Sequence, residues 1–195
     1  MKRRSFQTLM VDPRTRLRAV NQNDSAALFL LIDAQRAFLR RWLPWVDETR
    51  REEDTRTFIE LAKRQWQAGQ GFEFLIERDQ ELCGAIGINR MERANRLGSI
   101  GYWLRSDRQG QGIMTASCRR IISFGFDELG LNRLVLAAAV DNNPSRRVAE
   151  RLGFALEGVF REAEWVNDRF VDHARYAILR RDWEDGPPPG TARRG

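Results

Sequence analysis

The chain has 195 residues, and 33 lysine and arginine residues against 27 aspartate and glutamate residues give a formal net charge of +6. This length predicts one domain with a sizeable hydrophobic core. No apolar run approaches the roughly 20 residues of a membrane-spanning helix, and the basic amino-terminal stretch lacks the apolar core of a secretion signal. The sequence therefore predicts a cytoplasmic protein that does not cross a membrane.

Two cysteines and one histidine limit the metal and redox chemistry open to the chain. Cys83 lies in an apolar strand pattern and Cys118 in a helical one, so both are expected to be buried free thiols, with a disulfide as the alternative. The absence of a Cys/His cluster from the sequence argues against a zinc site. The positive charge suits phosphate-bearing partners or plain solubility, and its scattered distribution predicts no sequence-specific binding of nucleic acids.

The amino-terminal half is predicted to follow a β-α-α-β-β-β order. Asp24 is expected to cap the first helix, and Thr49 with Glu52 forms a capping box that opens the second. Between these helices lies a proline-bearing loop with two tryptophans. The predicted elements are a strand at 15–20, a helix at 25–40, a helix from the capping box to about residue 68, and strands at 72–76, 82–88 and 97–104.

The carboxy-terminal half is predicted to continue as α-β-α-β-β. Asn143 is expected to cap the second of these helices, with Pro144 at its first position. The predicted elements are a helix at 113–129, a buried strand at 134–140, a helix that ends at Gly153, and a hairpin of strands 154–166 and 170–179. Residues 1–183 are thus expected to form one domain, and the Pro/Gly/Arg-rich residues 184–195 a disordered tail.

Gly110-Gln111-Gly112 stands between a predicted strand and a predicted helix. Glycines at such a turn let the backbone approach a ligand, and the free N–H groups of a helix N-terminus favour anions. The stretch is therefore interpreted as a cradle for a phosphate or pyrophosphate, with an ordinary tight turn as the alternative. It lacks the third glycine of a dinucleotide fingerprint and the Gly-Lys-Ser/Thr of a P-loop.

A second cluster, AVDNNPSRRVAERLGF, follows downstream, and together with IGYWL, QGQGIMT, LGLNRL, LEG and REAEW it resembles the GNAT superfamily of acyl-CoA N-acyltransferases. The resemblance covers about Leu97 to Leu179 and is closest to the branch of ribosomal-protein N-terminal acetyltransferases. One position departs from the family's Gln/Arg-x-x-Gly-x-Gly/Ala motif, because Asp107 occupies its first place.

The resemblance implies an α/β (α+β) GNAT fold, in which a mixed, mostly antiparallel central sheet splays open between two central strands and helices cover both faces. It implies acetyl-CoA as cosubstrate, with its pantetheine arm in the splay, and no metal. The residues expected to hold this cosubstrate are Trp103, Leu104, Arg108, Gln109, Gly110, Gln111, Gly112, Ile113, Met114, Thr115 and Asn142. For Arg108, a solvated surface position is the alternative to a phosphate contact.

Two further residues match the catalytic groups of that branch. Glu164 matches the glutamate that accepts the amine proton directly or through water, and Ser145 matches the hydroxyl donor to the leaving sulfur. The alternatives are structural: Glu162 and Glu164 share one face by the period of two, which is typical of a solvated strand, and Ser145 could support a helix cap. His173 is given no role, since a lone strand histidine is more often structural.

The acceptor is expected to be the N-terminal α-amine of a ribosomal or other protein. Neutralising an α-amine with a pKa near ~7.8 costs about 1 kcal/mol at pH 7, against roughly 4.6 kcal/mol for a lysine near ~10.4. The resemblance also implies that Trp42, Leu43 and Trp45 are candidates for the acceptor wall, since this segment lines the substrate side in similar proteins; anchoring of a helix end is the alternative. The nearby acidic residues Asp47, Glu48, Glu52 and Glu53 could attract a cationic acceptor.

Other readings of the same pattern stay open. One is a small-amine acetyltransferase for a polyamine, an aminoglycoside or an amino acid, and another is transfer of a longer short-chain acyl group. A non-catalytic coenzyme A binding or ribosome-associated module is the non-enzyme alternative. The final hairpin or another exposed strand edge could pair subunits into a homodimer.

Overall fold

Eight strands form one sheet in the computed structural model, which describes residues 8–184. The strands are β1 (Thr8–Asp12), β2 (Thr15–Ala19), β3 (Phe72–Arg78), β4 (Glu81–Glu92), β5 (Leu97–Leu104), β6 (Arg133–Ala139), β7 (Ala155–Val166) and β8 (Arg169–Leu179). Their order is β1-β2-β3-β4-β5-β6-β8-β7, and only β5 and β6 pair in parallel. The mixed, mostly antiparallel sheet is confirmed, with β1 as an edge strand that the sequence analysis missed.

Helices cover both faces of this sheet. They are α1 (Ser25–Ala34), α2 (Arg36–Leu39), α3 (Glu52–Ala68), α4 (Ile113–Ser123), α5 (Asn143–Arg151) and α6 (Arg180–Glu184). One core lies under α4 and α5 and contains Ile121, Phe124 and Leu134. A smaller core lies under α1 and α3 and contains Leu28, Ile59 and Leu75. We call these two sides of the sheet the α4 face and the α3 face.

The first predicted helix, 25–40, is wrong as a single element because it breaks at Gln35. The Gln35 side chain leaves the helix axis to bind the loop after β5, where its Oε1 accepts hydrogen bonds from the Ser106 N–H at 2.9 Å and the Ser106 hydroxyl at 2.8 Å. This contact fixes α2 beside that loop. A tertiary hydrogen bond of this kind overrides the helical periodicity of the local sequence.

Two predicted caps are also wrong by one or a few residues. At α3, Asp54 rather than the Thr49–Glu52 pair accepts the N–H groups of Arg50 and Arg51, at 2.8 and 3.0 Å. At α5, Asn142 rather than Asn143 is the N-cap, and its Oδ1 accepts the N–H of Ser145 at 3.2 Å. Any short polar side chain next to a helix start can compete for this position, so pattern alone does not choose among neighbours.

Other expectations have simpler outcomes. The predicted helix at 113–129 continues beyond α4 as a π-helical turn, Phe124–Glu128. Cys83 and Cys118 are buried and free, as expected. In the described part of the chain, no helix is both long and apolar enough to cross a membrane. Most of the predicted tail, from residue 185 onward, lies outside the described residues.

The sheet opens between β5 and β6, as the resemblance implies. The two strands pair only from Leu97–Ile100 to Arg133–Leu136. Beyond that point Gly101–Leu104 and Ala137–Ala139 have no pairing with each other, and Ala137 is exposed although β6 is central. Backbone groups along both inner edges of this splay are therefore accessible to a ligand.

We expect Gly84→Ala to destabilise the fold close to the splay. An alanine Cβ at Gly84 would lie 2.2 Å from the Trp103 carbonyl oxygen and 2.9 Å from the Leu104 Cα, both of which are backbone atoms. We expect a loss of about 1–3 kcal/mol in the free energy of unfolding, measured in urea.

Gly71→Ala is the matched control, because the nearest atom to its Cβ is the Gln65 Oε1 at 3.1 Å, at the end of a flexible side chain. This variant should lose less than about 0.5 kcal/mol. Equal losses in the two variants would contradict the close approach of β4 and β5.

Candidate active site

A cleft of about 1220 Å³ opens where β5 and β6 diverge. Its walls come from β5, the glycine loop and α5, and from α2, the loop after it and the final hairpin. The side chains of Asn167 and Gln35 bridge these parts: the Asn167 side-chain amide donates to the Arg40 carbonyl, and Gln35 binds Ser106. The segment that contains α2 is thus tied at Gln35 to the loop after β5 and at Arg40 to the final hairpin.

The glycine loop presents backbone N–H groups to this cleft. Gly110 and Gly112 have φ values of +72° and +76°, which side chains rarely adopt, and a Cβ at either would meet no atom within 4 Å. Gly112 is the N-cap of α4, and no side chain in residues 8–184 caps that helix end. A helix start with free N–H groups and open space around it fits the pyrophosphate of coenzyme A.

Most of the residues predicted to form the cradle line the cleft: Gln109, Gly110, Gly112, Ile113, Met114 and Thr115. Gln111 does not, because its side-chain amide folds back and donates to the Asp107 carbonyl at 3.1 Å. The Gln109 N–H is also engaged, since it donates to the Ser106 carbonyl at 3.3 Å. The N–H groups open to a ligand therefore begin after Gln109.

Arg108 lies at the edge of the cleft and forms an ion pair with Glu81. Its Nε is buried without a hydrogen-bond partner in the described chain. The Glu81 carboxylate thus holds the Arg108 guanidinium beside the glycine loop. Arg108 is the neighbour of Asp107, which occupies the position where the family motif has a glutamine or arginine. The role of Arg108 toward phosphate stays a prediction.

Trp103 and Leu104 line the cleft from the free edge of β5. On the α3 face, Trp42 and Leu43 line it as well, whereas Trp45 does not. Trp45 packs into the smaller core against Trp103, with ring centroids 6.3 Å apart and planes tilted by 55°. These contacts agree with the alternative that Trp45 anchors a helix end in the core. Trp42 and Leu43 stay candidates for the acceptor wall.

Ser145 lines the cleft from the first turn of α5, beside Asn142. Its Oγ lies 2.9 Å from the Tyr102 hydroxyl, which also donates to the Ser145 carbonyl at 3.3 Å. Burial raises the pKa of the Tyr102 phenol, so this group stays protonated at neutral pH. The sequence analysis missed Tyr102. Because consecutive residues of a strand point to opposite faces, Tyr102 and Trp103 must lie on different faces of the sheet, and this alternation could have placed Tyr102 on the α4 face.

A bulge in β7 decides where the glutamates of that strand lie. Phe160 pairs with His173 and Glu164 with Val171, so three residues of β7 stand opposite one residue of β8. The bulge is fixed by Asp172, whose carboxylate accepts the Glu162 N–H at 2.8 Å while Glu162 adopts a φ of +50°. Glu164 lines the cleft, whereas Glu162, inside the bulge, does not, so the two glutamates lie in different surroundings.

His173 is the second partner that the sequence analysis missed. Its Nε2 lies 3.3 Å from a Glu164 carboxylate oxygen, and both side chains line the cleft on the α3 face. Glu164 is 38% exposed and therefore open to an incoming amine, whereas His173 is 18% exposed and lies behind it. The bulge, which no periodicity predicts, brings the two groups together.

Neither cysteine can carry an acyl group in this cleft. Both are buried, and neither lines it. Burial raises the pKa of the Cys118 thiol to about 12 and also raises that of Cys83, which keeps them as unreactive thiols. Among the described residues, no group of three or more His, Cys, Asp and Glu side chains could hold a metal ion. The geometry therefore favours direct transfer from thioester to amine.

Comparison with known proteins gives the same assignment. Residues 14–155 match the family model described as an acetyltransferase (GNAT) domain. The Bacillus subtilis (strain 168) protein YdaF, provisionally named a ribosomal N-acetyltransferase, is 36% identical over 91% of this chain and 97% of its own length. The ribosomal-protein-serine acetyltransferase of Escherichia coli (strain K12) is also 36% identical, over 89% and 97% of the two chains.

Among solved structures, the ribosomal L7/L12 α-N-protein acetyltransferase RimL in complex with coenzyme A superposes with a TM-score of 0.86. It is 31% identical to this chain, and the match covers 89% of this chain and 98% of that one. The family match spans more than half of the chain, and the relatives are matched over nearly their full lengths. The chain therefore belongs to the GNAT acetyltransferase family.

Proposed function

We propose that this acetyltransferase uses acetyl-CoA to acetylate the N-terminal α-amine of a protein, with a ribosomal protein as the favoured acceptor. One observation carries the proposal. The Glu164 carboxylate, in contact with His173, lies on one side of the splay, and the hydroxyl pair of Ser145 and Tyr102 lies on the other. A base on one side and a proton donor on the other are what direct aminolysis of a thioester needs. The names of the relatives that match over nearly their full lengths support the acceptor class.

The donor would lie in the splay, with its pyrophosphate on the N–H groups at the start of α4. The free edge of β5 at Trp103 and Leu104 would hold the pantetheine amides and polarise the thioester carbonyl. Asn142 lines the cleft but already accepts the Ser145 N–H through its Oδ1. Its side-chain NH₂ group is the part that would bind the arm.

The acceptor would enter from the α3 face, past Trp42 and Leu43. Glu164 would accept a proton from the attacking amine, directly or through water, and His173 would hold the carboxylate in place. Because an α-amine needs only about 1 kcal/mol to become neutral at pH 7, a modest carboxylate base is sufficient. On the other side, the Ser145 hydroxyl would donate to the departing sulfur and be resupplied through Tyr102.

We further propose one domain over residues 1–183, a cytoplasmic location and a homodimer. The support for pairing lies on the final hairpin, where β7 is the edge of the sheet. Its exposed apolar side chains are Leu156, Val159, Phe160, Trp165 and Phe170. An apolar edge of this kind favours association.

The acceptor class is tested by coenzyme A release from acetyl-CoA with a set of amines. We expect turnover with short peptides that have a free Ser, Ala or Met N-terminus, because more than half of their α-amines are neutral near pH 8. The same peptides blocked at the N-terminus but bearing a lysine should give none. Turnover confined to spermidine or an aminoglycoside would instead show a small-amine acetyltransferase.

Glu164→Gln should lower kcat about a hundredfold or more, since an amide cannot accept the amine proton. Affinity for coenzyme A, measured by calorimetry, should stay unchanged. Glu162→Gln is the matched control, because Glu162 lies two residues away on the same strand but outside the cleft. If both variants lose the same activity, Glu164 is not the base.

Ser145→Ala should lower kcat about tenfold to a hundredfold, because the leaving thiolate loses its donor. Tyr102→Phe keeps the Ser145 hydroxyl and removes only the group behind it, so we expect a smaller loss of about twofold to tenfold. Steady-state kinetics with one free-N-terminus peptide distinguishes the two. A larger loss in Tyr102→Phe would make the tyrosine the direct donor.

A further inference from the structure

Arginines dominate the charge around the cleft. Its lining contains seven guanidinium groups and, within residues 8–184, a single carboxylate, Glu164. The arginines are Arg41, Arg90, Arg108, Arg147, Arg151, Arg161 and Arg175. The acidic residues that the sequence analysis considered as attractors of a cationic acceptor, Asp47, Glu48, Glu52 and Glu53, do not line the cleft.

These arginines are also unusual in lacking carboxylate partners. Elsewhere in the chain, arginines such as Arg14, Arg18 and Arg133 form ion pairs with nearby carboxylates. Among the seven in the cleft, only Arg108 forms such a pair within the described residues. Unpaired positive charges around one concave surface attract anions and raise their local concentration.

The arginines fall into two groups. Arg108, Arg147 and Arg151 lie on the glycine loop and α5, where the phosphates of the donor would bind. The Arg151 guanidinium donates to the Thr115 hydroxyl in the first turn of α4, at 3.1 Å. Binding of the coenzyme A phosphates, as proposed above, would account for this first group.

The second group lies around the acceptor opening. Arg175 and His173 are two residues apart on β8, so Arg175 shares the α3 face with the Glu164–His173 pair. Arg161 lies in the β7 bulge, and Arg41 adjoins Trp42. The fourth, Arg90, follows Ile88 at a register shift in β4 and lines the cleft beside Asn89. We call Arg41, Arg90, Arg161 and Arg175 the acceptor-side arginines.

We infer that the acceptor polypeptide carries acidic side chains in the segment that follows its N-terminal amine. This inference rests on the proposed function and specifies its substrate. Carboxylates of the acceptor would pair with the acceptor-side arginines as its chain leaves the cleft. The same arginines would favour the neutral form of the attacking amine, since neighbouring cations lower the pKa of an amine, and would disfavour polycationic acceptors.

The test uses three serine-initiated peptides that differ only in residues three to eight, which are acidic, neutral or basic. With the wild-type protein we expect kcat/KM to be about tenfold or more higher for the acidic peptide than for the neutral one, and lowest for the basic peptide. Because the arginines are exposed, this preference should shrink as salt is added.

Arg90→Gln/Arg161→Gln removes two acceptor-side charges that make no hydrogen bond or ion pair within residues 8–184. We expect it to raise KM for the acidic peptide about fivefold and to leave the neutral peptide and coenzyme A affinity unchanged. Arg50→Gln/Arg64→Gln is the matched control, since it removes the same charge outside the cleft. It should keep the wild-type preference.

Equal kcat/KM for acidic and neutral peptides would overturn the inference and leave the proposed function intact. A loss of equal size on all three peptides in Arg90→Gln/Arg161→Gln would also overturn it, because the arginines would then serve the donor or the fold. Turnover with spermidine but with none of the three peptides would overturn the proposed function itself, together with this inference.

Discussion

The parallel pairing of β5 and β6 stops after four residue pairs, and the rest of the site depends on that stop. Beyond Ile100 and Leu136, two central strands of a well-packed sheet carry unpaired backbone edges. Such groups need partners when they are shielded from water. A ligand that offers amides along an extended arm can supply them, which explains why the cleft lies inside the sheet rather than in a surface loop.

The splay also divides the chemistry between the two faces of the sheet. Strand alternation places Tyr102 toward α5 on one face and Trp103 toward the smaller core on the other. The hydroxyl pair and the start of α4 thus lie on the donor side, while the Glu164–His173 pair and the acceptor-side arginines lie across the opening.

The β7 bulge is the second constraint of consequence. It places three residues opposite Asp172, so Glu164 stands opposite Val171, on the same face of the sheet as Phe160 and His173. Without the two extra residues, the register of Phe160 with His173 would continue and place Glu164 opposite Arg169, two residues farther from His173. A single carboxylate-to-backbone hydrogen bond at Glu162 therefore fixes the geometry of the proposed base.

The sequence by itself determined the order of seven of the eight strands and of the helices α3, α4 and α5, the glycine loop, the buried cysteines and, through its resemblance, the family. These follow from local signals: hydrophobic period, glycine at helix ends and short contiguous motifs. Only the tertiary structure decided the break at Gln35, the pairing of Tyr102 with Ser145, the contact of His173 with Glu164, and the position of Trp45 in the core rather than the cleft. Each of these depends on contacts between residues far apart in the chain or on a register shift, and neither leaves a trace in local periodicity.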